Sequence, residues 1–160
     1  LVFCINCGKE NVLEANFCYN CGEKLSNLPS SPLSEEDYKK TFFKYRDKGT
    51  VLDQDIIAIS GTIEGLSLNA VELTLTKIDK ILNNYSILLS EFKSIVSPEN
   101  YKNFHQLWIS SLDYSIESII EFRKSVELND QSLMDKAAFL VNMKGEKIRL
   151  ANEELERINK

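Results

Sequence analysis

All four cysteines of the chain, Cys4, Cys7, Cys18 and Cys21, stand within the first 21 residues, and none follows them. They form two tight C-x-x-C pairs. A secreted disulfide framework distributes cysteines over the fold it staples, whereas two close thiol pairs offer ready ligands to a metal. The pairs sit in an internal repeat: residues 3–8 read Phe-Cys-Ile-Asn-Cys-Gly and residues 17–22 read Phe-Cys-Tyr-Asn-Cys-Gly, extended by Lys9-Glu10 and Glu23-Lys24. Each half has the form of a knuckle, a turn presenting two thiolates to one ion. Gly8 and Gly22 fall where such a turn needs positive φ and close approach of amides to sulfur. Phe3 and Phe17 precede the first cysteine of each pair and are expected to pack against each other beside the metal. Two knuckles related by a pseudo-twofold axis set four sulfurs at the corners of a tetrahedron, which suits Zn²⁺.

The ten residues between Cys7 and Cys18 allow a short hairpin or loop and no elaborated sheet. A segment this small cannot bury enough apolar surface to fold alone, so metal binding is expected to supply on the order of 10 kcal/mol of folding energy. With its C-x-x-C-G…F-C-x-x-C-G signature over about residues 3–25, the segment resembles the short zinc-ribbon family found at the N-terminus of many bacterial and archaeal proteins. The resemblance implies that Cys4, Cys7, Cys18 and Cys21 are the ligands of one structural Zn²⁺. Asn6 and Asn20 precede the second cysteines, and the proline often found after the first is missing, departures that leave the ligands in place. Two other metal or redox readings compete. A rubredoxin-type iron site calls for a longer gap between knuckles. A thioredoxin-like dithiol opens a helix within a βαβ unit, which nothing here provides. Four thiolates also close the coordination sphere against the water or substrate that a catalytic zinc needs.

Composition bounds the rest. With 43% hydrophobic and 27% charged residues, the chain falls among soluble globular proteins, and a net charge of −5 argues against wrapping a polyanion through its overall field. No run approaches the roughly 18 apolar residues needed to span a bilayer, and no basic start leads into an apolar leader core. The expected location is the cytoplasm.

Residues 26–33, Ser-Asn-Leu-Pro-Ser-Ser-Pro-Leu, read as a linker between a ribbon at 1–25 and a helical body at 34–160. Ser34 heads Ser-Glu-Glu-Asp, an N-cap with acids in the first turn, and predicts a helix from about Glu35 to Asp47 stopped by Gly49. Helical spacing resumes with Ile56, Ile59, Ile63, Leu66, Ala70 and Leu73, weakened by Gly61 and Gly65. It continues in a shifted register with Ile78, Ile81, Tyr85, Leu88, Phe92 and Ile95, so residues 53–96 read as one helix or two. Ser97-Pro98 marks a stop and restart, with Ser97 as cap and Pro98 in the first helical position. The next face carries Tyr101, Trp108, Leu112, Ile116, Ile119 and Val126. Asn129-Asp130 is a turn, and the last face carries Leu133, Ala137, Leu140, Ala151, Leu155 and Ile158. Three long helices joined by short turns, plus shorter N-terminal segments as a fourth layer, predict an antiparallel up-and-down bundle.

The body holds little chemistry. His105 is the only histidine, so HExxH and paired Glu-x-x-His sites are missing, and the six glycines form no phosphate loop. His105 reads as a surface or partly buried packing residue, Phe104 and Trp108 as core residues, and Glu153, Glu154 and Glu156 as a solvated face. Residues 38–48 interleave five basic residues, Lys39, Lys40, Lys44, Arg46 and Lys48, with four aromatics, and are the candidate anion or partner contact. The competing reading puts Tyr38, Phe42 and Tyr45 on the bundle and leaves the cations in water. The sequence thus predicts a non-enzymatic zinc-binding protein whose ribbon and bundle make protein contacts, with a partner or by self-association. The alternative is nucleic-acid binding through helix 38–48, which the two lysines and three glutamates of residues 1–25 disfavour.

Overall fold

A computed structural model of the chain describes residues 2–3, 7, 9–12, 15, 17–23, 25, 31–61 and 68–160. In the N-terminal part, β1 (Val2–Phe3) and β2 (Glu10–Asn11) pair antiparallel, with Val2 opposite Asn11 and Phe3 opposite Glu10. Cys18 and Leu25, with Ala15 against them, form a small apolar cluster separate from the core of the helical part. Among the described residues, β1 and β2 are the only strands.

Ser34 opens α1 (Glu35–Ser60): its Oγ accepts the Asp37 N–H at 3.2 Å and donates to the Asp37 carboxylate at 2.7 Å. This reciprocal cap anchors the helix with three acids in its first turn. The expected stop at Gly49 does not occur, and the helix runs on to Ser60. Gly49 is buried where α1 meets α2 (Leu68–Lys93). A Cβ there would stand 3.6 Å from Leu88 Cδ2, and the Gly49 carbonyl accepts the Tyr85 hydroxyl at 3.3 Å. Packing therefore overrides the roughly 1 kcal/mol propensity cost of an internal glycine.

The run expected from Asp53 onward is divided between two helices, its first part closing α1 and the remainder belonging to α2. Ile63, Gly65 and Leu66 lie outside the described residues, and Leu73 is 58% exposed, off the core stripe. Ile78, Ile81, Tyr85, Leu88 and Phe92 are buried as their spacing predicts. The restart after α2 is displaced from the expected Ser97 cap. Pro98, with ψ 153°, precedes a 3₁₀ turn at Glu99–Tyr101, and the Tyr101 N–H donates to the Pro98 carbonyl at 3.0 Å. Fully buried Tyr101 draws this turn into the core before α3 (Lys102–Leu128) begins. Asn129, at φ +50°, and Asp130, which accepts the Ser132 N–H at 2.8 Å, make the turn into α4 (Gln131–Ile158).

The four helices run up and down. Ion pairs between Lys48 and Glu91, Arg123 and Asp79, and Lys136 and Glu121 bridge successive neighbours. The backbones of α3 and α4 approach most extensively. On α3, buried Ser111, Ser115, Ser118 and Ser125 each donate to a carbonyl three or four residues back, so small side chains satisfy themselves while permitting that approach. One end of the core is aromatic. Phe42 lies edge-on to Phe104 at 4.8 Å and to Trp108 at 4.9 Å, and His105 stacks on Phe92 at 4.5 Å. His105 is buried, and its Nδ1 meets the Tyr38 hydroxyl at 3.0 Å. Glu154 departs from the expected solvated face: it is buried and paired with Arg157 at 2.5 Å, while Glu153 and Glu156 are exposed. No described helix is long and apolar enough to cross a membrane.

Candidate metal centre

The second knuckle is closed by its backbone. The Cys18 N–H donates to the Glu23 carbonyl at 2.7 Å, and the Gly22 N–H donates to the Cys18 carbonyl at 2.8 Å. Gly22 has φ +72°, the left-handed conformation expected of it, which an L side chain would strain. This folds Cys18 and Cys21 into one turn and brings Cys7 to them from the first knuckle. The three sulfurs lie within 4.8 Å of one another, and Cys7 Sγ and Cys18 Sγ are 3.6 Å apart. A covalent S–S bond would be about 2.05 Å. Sulfurs about 2.3 Å from a tetrahedral Zn²⁺ stand about 3.8 Å from each other, so the observed spacing fits three corners of such a site. Cys4, the fourth expected ligand, lies outside the described residues, as do Asn6 and Gly8.

Hydrogen-bond donors surround the sulfurs. Asn20 Nδ2 donates across the knuckles to Cys7 Sγ at 3.5 Å. Asn11 is buried, at 2% exposure, and its Nδ2 reaches Cys18 Sγ at 3.6 Å and the Lys9 carbonyl at 2.6 Å, while its Oδ1 accepts the Tyr19 N–H at 3.0 Å. The Asn20 amide and the Lys9 backbone N–H hold the Cys7 thiol below its ordinary range. Burial alone would push the Cys18 thiol up. The backbone N–H groups of Cys21 and Asn20, with the Cys7 and Asn11 side chains, outweigh it and bring Cys18 down to about 6. The pocket thus favours thiolates, the form a metal binds.

Sequence reasoning missed Asn11, which has no place in the cysteine repeat. Its one signal is an amide residue at a strand position, where asparagine is disfavoured. As an outer partner that orients Cys18, Asn11 carries an expected result: Asn11→Ala weakens zinc affinity about 10- to 100-fold in competition with a chromophoric chelator. Phe17 departs from its expected role beside the metal, being 59% exposed.

The candidate contacts on α1 are scattered into local pairs. Lys40 meets Glu36 at 2.8 Å, Arg46 meets Asp47 at 2.8 Å and lies over the Phe43 ring, and Lys48 meets Glu91 at 3.1 Å. Lys39 donates to Asn159 Oδ1 at 3.1 Å, and Lys44 is exposed. Tyr38 and Phe42 are buried and Tyr45 is partly buried on the core. A second polar group was not anticipated. Lys144 of α4 holds both carboxylate oxygens of Asp53 of α1, at 2.5 and 2.6 Å, and the Tyr85 hydroxyl of α2 donates to the same carboxylate. Burial, with Asp53 beside it, pushes the Tyr85 hydroxyl well above its ordinary range.

A family model described as a zinc-ribbon domain matches residues 3–25, the span of both knuckles. A second, described as a domain of unknown function (DUF7018), matches residues 33–150, about three quarters of the chain. The chain belongs to the DUF7018 family. The matched span covers α1, α2, α3 and most of α4, so the bundle is the DUF7018 part and the zinc ribbon precedes it. No curated protein and no solved structure matches the chain.

Proposed function

We propose that this is a non-enzymatic protein in which Cys4, Cys7, Cys18 and Cys21 hold one structural Zn²⁺. In this reading the ribbon at 1–25, tethered by 26–33 to the bundle at 34–160, makes protein–protein contacts in the cytoplasm. The observation that carries the reading is the convergence of three sulfurs from two knuckles, ringed by amide donors. Four thiolates leave a zinc ion no open position for water, so the ion acts by folding the ribbon. The ribbon then displays Val12, Phe17 and Tyr19, each more than half exposed, as rigid apolar contacts. Arrangement of the α1 cations into pairs with Glu36, Asp47 and Glu91 supports protein contact over nucleic-acid contact, since those charges are already matched.

Native mass spectrometry and affinity co-purification, with and without nuclease, test this reading. The expected result is one zinc per chain and a protein partner, or a second copy of the chain, that survives nuclease and is lost with Cys18→Ser. Absence of zinc would remove the metal reading. Recovery of nucleic acid, lost with Lys39, Lys40 and Lys44 changed to Glu, would move the contact to α1.

A further inference from the structure

The backbone of α1 comes close to α2 but hardly at all to α4, whereas α3 packs extensively against both α2 and α4. Both seams of α1 are grooved at the surface. On the α2 side, an open groove of about 350 Å³ runs past Val51, Leu52, Ile87 and Leu88 beside the Lys48 and Glu91 side chains. On the α4 side, an open groove of about 220 Å³ separates Phe42 and Phe43 from Leu155 and Asn159 and is lined by buried Tyr101, whose hydroxyl has no hydrogen-bond partner among the described residues. Side chains facing an open groove lack partners on one side and lose part of their dispersion contact. Exposed polar bridges stand in their place: Lys48–Glu91, Lys39–Asn159 and Asn100–Glu35. Such bridges contribute little each.

One bridge differs. The Lys144 side chain is only 16% exposed, and its bidentate contact with Asp53 is backed by the Tyr85 hydroxyl, which also reaches the Gly49 carbonyl. This cluster ties the C-terminal half of α1 to both α2 and α4. Asp53 itself is 38% exposed, so the larger loss comes from removing Asp53, which leaves the largely buried Lys144 ammonium without its counter-charge.

We propose that α1 is a strap that opens as a unit ahead of global unfolding, latched shut by Asp53, Lys144 and Tyr85, and that α2, α3 and α4 persist as the stable remainder. The device goes beyond the metal reading and does not depend on it. Opening α1 uncovers the faces of Tyr85, Phe92 and Phe104 toward it and changes where the chain N-terminal to Ser34 is held.

Native-state hydrogen exchange on the full chain, read by mass spectrometry, tests it. The expected result is α1 amides exchanging at least tenfold faster than those of the α3–α4 pair in the wild type. Asp53→Asn, isosteric and uncharged, then accelerates α1 about tenfold or more while α3 and α4 keep their wild-type protection. Lys144→Met repeats the pattern from the other side of the latch. Exchange of all four helices in a single cooperative step, or equal acceleration of every helix by Asp53→Asn, would overturn the proposal. The wild-type measurement decides the matter even if a variant fails to fold.

Discussion

Replacing Cys18 by serine is expected to strip the ribbon of zinc and unfold it while leaving the bundle helical. Cys18, a proposed ligand, sits at the centre of the small N-terminal cluster: it is 2% exposed, packs with Leu25, takes a donor from Asn11 and lies 3.6 Å from Cys7. A hydroxyl in its place is a poor ligand for zinc, and no sizeable core remains to hold the knuckles together. The lost term is the metal-binding energy itself, on the order of 10 kcal/mol. Zinc content by atomic emission should fall to background, and ribbon amide resonances should collapse toward random-coil positions. The far-UV helical signal should stay within a few per cent of wild type, because the helical core is a separate cluster. Retention of full zinc occupancy by Cys18→Ser would remove Cys18 from the ligand set.

The second large effect is acid destabilisation of the bundle through His105. Burial among Phe92, Tyr38 and Phe104 lowers its pKa from 6.5 to about 4. Its Nδ1 lies 3.0 Å from the Tyr38 hydroxyl, a neutral partner that offers no counter-charge to a protonated imidazole. Between the two values the unfolded chain holds a proton that the folded chain refuses, so stability falls as pH falls. The contribution is complete above about pH 6.5 and lost progressively to about pH 4, where it amounts to about 3 kcal/mol. Urea titrations of wild type and His105→Gln at pH 7, 5.5 and 4 check this. Carboxylates such as Glu121, held low by Lys124 and Lys136, add their own acid sensitivity, so the difference between the two proteins is the readout. Equal losses in both would assign the acid sensitivity to the carboxylates alone.

The metal site was legible because its signal is local. The repeated C-x-x-C-G pattern marks the turns along the chain, and in the second of them Gly22 adopts the positive φ its position demanded. The helix starts at Ser34 and Asp130 were legible for the same reason, since a cap is an exchange of hydrogen bonds within three residues. Core stripes at Ile78, Ile81, Tyr85, Leu88 and Phe92 followed from the helical repeat. Asn11 escaped because its partners, Lys9, Cys18 and Tyr19, come together only when the two knuckles close.

Sequence by itself therefore determined the elements whose energetics are settled within a turn: the second knuckle, the caps at Ser34 and Asp130, the turn at Asn129-Asp130 and most of the apolar stripe along the later helices. Tertiary structure decided what depends on a neighbour. It carried α1 through Gly49, because α2 approaches there and Tyr85 bonds the Gly49 carbonyl. It shifted the start of α3 behind a 3₁₀ turn, because Tyr101 is drawn into the core. It buried Glu154 and His105, which pattern alone left on or near the surface. It also joined Asp53 to Lys144, residues 91 positions apart, where a charge pair no local rule could foresee ties α1 to the rest of the bundle. The physical division is one of range: hydrogen bonds and dihedral preferences act along the chain, whereas close packing and desolvated charge depend on which surfaces the fold brings together.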